Sequence, residues 1–113
     1  MAPVTVSVLY PTAPDATFNL EYYLQTHMPL VQKHFGQHGM IGYRVQKLVS
    51  TATGDASPYS IMCLLEFPDR AAWDNALTQA AGPVMADVPN FSNKAPTFLI
   101  GEGVGGNVAL AKI

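Results

Sequence analysis

Residues 4–35 read VTVSVLYPTAPDATFNLEYYLQTHMPLVQKHF and set the pattern of the fold. From Pro3 to Tyr10, valines and a tyrosine alternate with other side chains, which is the period of a strand with one buried face. The segment Pro11–Asp15 is rich in residues that break regular structure. A helix is then predicted from about Phe18, with Asp15 or Thr17 as its cap. The chain therefore begins with a strand followed by a helix.

The predicted first helix is amphipathic. Its apolar positions recur at about 100° per residue and form one stripe, which consists of Leu20, Leu24, Met28, Val31 and Phe35. Pro29 has no N–H to donate to the carbonyl of Gln25, so we expect a kink or break near His27–Pro29. Gly36 and Gly39 are expected to end the helix.

The remaining sequence predicts three more strands and a second helix. The strands are expected at Met40–Val49, Tyr59–Phe67 and Ala95–Ile100. Asp69 is expected to cap the second helix, Gly82-Pro83 to end it, and a short helical turn and loop to follow at Val84–Asn93. Its inward stripe is predicted to consist of Trp73, Ala76, Leu77 and Ala80. The βαββαβ order indicates an α+β, ferredoxin-like fold with a four-stranded antiparallel sheet and both helices on one face.

The amino-acid composition of the chain limits the classes of molecule that it can bind. The chain has 113 residues, enough for one domain, and 12% of them are charged, against about 25% in an ordinary globular domain. The low charge and the bare second face of the sheet predict an apolar surface that is covered by another subunit or by a hydrophobic ligand, and self-association is the favoured explanation. Basic residues are few and scattered, so no nucleic-acid partner is expected, and no apolar run approaches the ~20 residues of a membrane span. The single cysteine, Cys63, fits a reducing compartment, and a cytoplasmic location is expected.

Three motifs carry a family resemblance. The first is Phe18…Tyr22-Tyr23…His27-Met28-Pro29-Leu30-Val31, the second is Phe67-Pro68-Asp69…Trp73, and the third is Ala86-Asp87-Val88-Pro89-Asn90-Phe91. Taken in this order, they make the chain resemble the ethyl tert-butyl ether degradation (EthD-like) family of the dimeric α/β-barrel superfamily, from about Val4 to Ile100. The resemblance implies a homodimer whose two sheets form a barrel, with a separate pocket in each subunit between sheet and helices. Relatives carry out several unrelated reactions, so the resemblance implies a fold more than a reaction.

His27 and Tyr23 are the candidate catalytic residues. His27 borders the apolar stripe, and Tyr23 lies one turn earlier on the same edge of the helix. A histidine at a pocket wall can transfer protons near neutral pH, while the phenol orients a carbonyl or an enolate. In the alternative interpretation, His27 hydrogen-bonds a carbonyl that Pro29 leaves free and stabilises the kink.

Aromatic side chains are the candidate substrate-binding residues. The set consists of Tyr10, Tyr43, Trp73, Phe91 and Phe98. The alternative is that they form core, and for Trp73 on its helix stripe the core interpretation is favoured. Tyr22, across the helix from the stripe, is expected to be exposed or at an interface.

No metal or cofactor site is predicted. His34 and His38 are four residues apart, but Gly36 and Gly39 interrupt the helix that would bring them together, and no third ligand is suitably spaced. Cys63 lies among hydrophobic neighbours and is expected to be an inert core thiol. No axial-ligand motif for haem is recognisable, and the glycines at 103–106 precede no helix.

The sequence therefore favours a small, cofactor-independent enzyme that acts on a hydrophobic, oxygenated organic substrate in a catabolic or oxidative pathway. Monooxygenase-, isomerase-, cyclase- or decarboxylase-type chemistry would use the same proton-transfer groups. Whether the protein is an enzyme stays open, because a non-catalytic dimeric protein that binds a pathway intermediate fits the same features.

The domain is assigned to residues 1–106, and residues 107–113 form an apolar tail that we expect to dock on the barrel. Val108, Leu110 and Ile113 would each contribute about 1.5–3 kcal/mol if fully buried. Truncation after Gly106 should therefore lower the melting temperature, the dimer affinity and the hydrogen-exchange protection. Unchanged values for all three would mean that the tail is frayed.

Overall fold

The computed structural model describes residues 2–107 and contains four strands with helices between them. The strands are β1 (Val4–Pro11), β2 (Gly42–Lys47), β3 (Tyr59–Phe67) and β4 (Thr97–Glu102). The first helical region comprises α1 (Leu20–Tyr22), a π-helical segment (Tyr23–His27) and α2 (Met28–Gly36). The second comprises α3 (Arg70–Gln79), α4 (Ala81–Ala86) and a 3₁₀ turn (Val88–Asn90).

The four strands form one antiparallel sheet in the order β2-β3-β1-β4. Val6 of β1 lies opposite Leu65 of β3 and Ile100 of β4, so side chains in register share a face. Val4, Val6 and the odd-numbered residues of β3 from Ile61 to Phe67 are buried beneath the helices. The predicted α+β, ferredoxin-like fold is confirmed. β3 has its predicted bounds, whereas β2 is shorter than predicted and β4 begins two residues later.

The start of the first helix differs from the prediction. Asn19 is the cap, and its Oδ1 accepts a hydrogen bond from the N–H of Tyr22 at 3.0 Å. Phe18 is held in an isolated bridge with Ser92, which keeps it extended and delays the helix to Leu20. The carboxylate of Asp15 instead accepts from Nζ of Lys94 at 2.9 Å. The predicted cap, Asp15 or Thr17, is therefore wrong, and the helix begins two residues after Phe18.

The π-helical segment changes the buried face of this helix. Its turn is wider than an α-turn, because the N–H of Met28 donates to the carbonyl of Tyr23, five residues earlier. Tyr23 and His27 are consequently buried, while Leu24, predicted to lie on the apolar stripe, is 46% exposed. Met28, Val31 and Phe35 are buried as predicted. The predicted interruption before Pro29 thus takes the form of a π-helical segment, which α2 follows with Pro29 in its first turn.

The second helical region has the predicted cap and a different end. Oδ1 of Asp69 accepts from the N–H of Ala72 at 2.9 Å, so the predicted cap is confirmed. Leu77, predicted to face inward, is 50% exposed. Gly82-Pro83 does not end the helical region but lies in the first turn of α4, where proline is tolerated because its missing N–H needs no partner.

Residues 108–113, on which the predicted docking of the tail depends, lie outside the described residues. No helix within residues 2–107 is long and apolar enough to cross a membrane.

Candidate functional site

A small, largely apolar cavity lies between the inner face of the sheet and the first helical region. Its volume is about 20 Å³, enough for about one water molecule. The sheet contributes Val8, Tyr10, Cys63, Leu65 and Phe98 to its wall, the first helical region contributes Tyr23, His27, Met28, Val31 and Phe35, and the segment after α3 contributes Val84, Met85 and Val88.

His27 is the titratable imidazole on the cavity wall. It belongs to the π-helical segment, whose wide turn directs it inward, and only 3% of its surface is exposed. Its Nδ1 lies 2.9 Å from Oδ2 of Asp87, which follows α4. A buried polar ring requires such a partner, because an unpaired one would lose its hydration without compensation. The alternative interpretation, in which His27 bonds a carbonyl freed by Pro29, is therefore not what the structure shows.

Asp87 is fixed by other hydrogen bonds. Its second oxygen, Oδ1, accepts from the hydroxyl of Tyr22 at 2.7 Å and from Nδ2 of Asn90 at 2.9 Å. Burial by itself raises the pKa of Asp87, but the hydrogen bonds from Tyr22, Asn90 and His27 outweigh it and lower the pKa below its ordinary value. The side chain is thus an ionised carboxylate at neutral pH, held in one orientation.

The imidazole of His27 is neutral at pH 7. Burial lowers its pKa, and this effect exceeds the opposing influence of the Asp87 carboxylate. A neutral imidazole carries one proton, and beside an ionised carboxylate that proton lies on Nδ1, which donates to Asp87. The other nitrogen, Nε2, therefore carries a lone pair, and it has no hydrogen-bond partner within residues 2–107. This is the protonation state of a general base.

Aromatic rings surround the imidazole. The ring centroid of Phe91 lies 4.4 Å from that of His27, and Tyr23 stacks on His27 at 5.3 Å. Tyr23 and Phe91 also contact each other, with their centroids 4.9 Å apart. Tyr10 and Phe18 extend the cluster, with centroid distances of 5.0–5.8 Å to their neighbours. These contacts restrict the imidazole and keep water away from it.

The two phenols and the thiol in the wall are all protonated. Burial is the main cause that raises the pKa of Tyr10 and of Tyr23 above the ordinary value, so both hydroxyls can donate hydrogen bonds but are not bases. Burial also raises the pKa of the Cys63 thiol to about 12. Its Sγ lies 4.0 Å from Sδ of Met28. A thiol in this state is a poor nucleophile, as expected from the sequence.

The structure brings together most, but not all, of the candidate site residues. Four of the candidates line the cavity, namely His27, Tyr23, Tyr10 and Phe98. Phe91 does not line it but packs against the ring of His27. Trp73 is buried in the core, stacked on Phe98 at 6.3 Å. Tyr43 lies on edge strand β2 opposite the wall residue Leu65, but it is 37% exposed and does not line the cavity.

Sequence reasoning missed Asp87, Asn90 and the hydrogen bond from Tyr22 to Asp87. Tyr22 was expected to be exposed or at an interface, but it is half-buried and binds Asp87. Asp87 and Asn90 both lie in the third motif, Ala86–Phe91. A carboxylate inside an apolar motif of a chain with little charge was the available signal.

His34 and His38 lie on either side of the end of α2, which is at Gly36. Within residues 2–107, no three His, Cys, Asp or Glu side chains lie close enough together to hold a metal ion.

The fold and the motifs match a known family. Residues 12–95 match the EthD domain, and this match covers well over half of the chain, which therefore belongs to the EthD family. No curated protein matches the chain.

One solved structure supports the same assignment, and two others share the fold. An EthD-like protein from Ralstonia eutropha JMP134 is 27% identical, with a TM-score of 0.84 over 95% of this chain and 96% of that one. An EthD family protein from Bacillus halodurans C-125 is 24% identical, with a TM-score of 0.69 over 92% and 100% of the two chains. A DABB family protein with a ferredoxin-like fold, from Mesorhizobium loti, is 16% identical, with a TM-score of 0.54 over 95% and 100%. The last two show likeness of fold alone.

The burial of neutral His27 predicts a loss of stability in mild acid. An unfolded histidine titrates near pH 6.5, and the folded pKa is lower, so between these values the unfolded chain binds the additional proton. Stability should be complete above about pH 6.5 and fall as the pH decreases through the folded pKa, by at most about 1.4 kcal/mol per pH unit.

Thermal melts between pH 8 and pH 5 test this expectation. The melting temperature of His27→Gln should fall less steeply below about pH 6.5 than that of the wild type. The control is His34→Gln, which changes a histidine on the same helical region outside the cavity. Equal slopes for the wild type and His27→Gln would contradict the assignment.

Proposed function

We propose that this protein is a small enzyme that uses His27 as a general acid–base group on a hydrophobic, oxygenated organic molecule, without a bound cofactor. The main observation behind this proposal is a buried, neutral histidine at the wall of an apolar cavity, whose Nδ1 donates a hydrogen bond to an ionised aspartate at 2.9 Å. An imidazole held in this way offers Nε2 to a ligand in a defined tautomer.

The proposed proton transfer uses the three groups in different roles. Nε2 of His27 takes a proton from a carbon or hydroxyl of the substrate, and the resulting imidazolium is stabilised by the Asp87 carboxylate. The protonated phenols of Tyr10 and Tyr23 supply donors on the same wall for an oxygen that becomes an enolate. His27 then returns the proton at another atom, or the substrate anion loses carbon dioxide, cyclises or reacts directly with dioxygen.

The apolar wall supports a hydrophobic ligand class. The cavity of about 20 Å³ is too small for such a molecule, so binding requires side chains to move. Met28 and Met85 line the cavity, and Met85 is 39% exposed. Methionine side chains are unbranched and adaptable, so we place the entrance to the cavity at Met85, whose side chain can move aside for a ligand.

The second candidate function is the non-catalytic binding of a pathway intermediate. It is favoured by the composition of the wall, where His27, two phenols and the thiol are the polar groups among apolar side chains. Both candidate functions use the same cavity, and they differ in whether the wild-type protein turns its ligand over.

The proposed assembly is a homodimer formed through the sheet face opposite the helices. The low charge of the chain supports it, as does Leu99, which is 56% exposed on β4. A cytoplasmic location and the domain boundary at residue 106 remain predictions.

Removal of the imidazole tests the proposed catalysis. A panel of hydroxylated aromatics, lactones and β-keto acids is first screened for turnover by the wild-type protein. His27→Ala should lower kcat by a factor of about 10²–10⁴, and Asp87→Asn should lower it by a smaller factor, because the tautomer is no longer fixed. His34→Ala, matched in chemistry and outside the cavity, should have unchanged kcat.

Two results would contradict the enzyme proposal. One is full turnover by a folded His27→Ala variant. The other is a wild-type protein that binds a member of the panel tightly and converts none of them, which would favour the binding function.

A change at the cavity entrance tests the proposed ligand site. Met85→Ala should tighten the binding of 1-naphthol, a bulky hydroxylated aromatic, by about tenfold, because less side chain must be displaced. Isothermal titration calorimetry measures the affinity. Leu77→Ala is the control, since Leu77 is similarly exposed on α3 but does not line the cavity. An equal effect of both substitutions would contradict binding at this cavity.

A further inference from the structure

The sheet face opposite the helices, here called the outer face, carries two charged side chains. Glu66 of β3 alternates with the buried Leu65 and Phe67, which places it on the outer face. Arg44 of β2 lies directly opposite Leu64, the preceding outer-face residue of β3. Arg44 and Glu66 are therefore diagonal neighbours on adjacent strands.

Neither charge is satisfied within the described part of the chain. Glu66 is only 9% exposed, and its Oε2 is buried without a hydrogen-bond partner in residues 2–107. Nε of Arg44 is likewise buried and unpartnered in this part of the molecule. Burying a charged atom without a partner is costly, so each group calls for an opposite charge from outside residues 2–107.

Because the outer face carries one positive and one negative side chain, it is complementary in charge to a second copy of itself. In an interface with two-fold symmetry, a residue that contacts a second residue across the axis is itself matched by the reverse contact. A face that presents one unpaired cation and one unpaired anion can therefore satisfy both by meeting a copy of itself. The surrounding outer-face residues are apolar or uncharged; they include Ser7, Leu9, Gln46, Met62, Leu64 and Leu99.

We propose that Arg44 of one protomer forms an ion pair with Glu66 of the partner subunit, and that this pair occurs twice in the dimer. The occupant of the outer face is thus a second copy of this chain, in an orientation fixed by the two charges. The inference rests on the homodimer of the proposed function and is independent of catalysis at His27. It adds the residues that set the register and the specificity of self-association.

Charge reversal distinguishes pairing between protomers from pairing within one chain. Arg44→Glu leaves two acidic groups on each outer face, and Glu66→Arg leaves two basic groups. Each variant alone faces like charges in its homodimer, and its dimer dissociation constant should rise by about 100-fold or more.

An equimolar mixture of Arg44→Glu and Glu66→Arg gives the decisive result. In the heterodimer both contacts between protomers join opposite charges, so its dissociation constant should return to within about tenfold of the wild-type value. Pairing within one chain would not be repaired by mixing, because each chain still carries two like charges. Sedimentation velocity gives the affinities, and native mass spectrometry identifies the heterodimer by its mass.

Two controls keep the experiment interpretable. Glu21→Arg reverses an exposed charge on α1, away from the outer face, and should leave dimerisation unchanged. If the charge-reversal chains fail to fold by circular dichroism, Arg44→Gln, Glu66→Gln and their double variant replace them. The double variant should then weaken the dimer by less than the product of the two single effects.

The outcomes also separate this inference from the proposed function. A wild-type dimer that is insensitive to both charge reversals overturns the ion pair and leaves the dimer and the His27 site standing. A folded, monomeric wild-type protein overturns the dimer and the ion pair together, whereas turnover that depends on His27 is measured independently. Loss of the dimer on truncation after Gly106, with no effect of the charge reversals, would assign the outer face to the tail instead.

Discussion

The hydrogen bond between Nδ1 of His27 and Oδ2 of Asp87 joins parts of the chain that are 60 residues apart. It connects the first helical region to the segment after α4, and the cavity lies between these two parts and the sheet. The other oxygen of the Asp87 carboxylate accepts hydrogen bonds from Tyr22 and Asn90, so both oxygens of this side chain are bonded. Because the network is partly buried, each member is costly to leave without its partners. The wall of the cavity and the tautomer of the imidazole therefore depend on one set of contacts.

This network requires the π-helical segment. In a regular α-helix the predicted apolar stripe would bury Leu24, whereas the wider turn at Tyr23–His27 turns Leu24 outward and buries Tyr23 and His27. Pro29 removes a backbone donor next to this segment, which lowers the cost of leaving the α-helical hydrogen-bond pattern there. Such segments are frequent at functional sites. A feature of the backbone thus places a histidine in a position that hydrophobic periodicity alone assigns to a leucine.

The fold was predictable because its signals are local, and the site was only partly predictable because its contacts are distant. Alternation in β1 and β3, the Asp69 cap and the interruption before Pro29 each depend on a few neighbouring residues. The first cap was mistaken because Asn19 competes with two nearby residues, and the choice is made by the bridge between Phe18 and Ser92. His27 and Tyr23 were predicted as candidates from their place beside the stripe and from the family motif. Asp87 was not, since its role appears only when α4 packs against the first helical region.

Strand β3 connects the two faces of the sheet. Cys63 and Leu65 form part of the cavity wall. Leu64 and Glu66, which alternate with them along the strand, lie on the outer face. A slip of one residue in the register of β3 would exchange these sets, placing a carboxylate in the cavity and an unpaired thiol on the outer face. Burying an isolated carboxylate in an apolar cavity is far more costly than burying leucine, which penalises the wrong register. Glu66 therefore specifies the pairing of β3 with β1 and β2 as well as carrying charge. The residue that we propose to contact the partner subunit thereby also holds the cavity in its arrangement within each subunit.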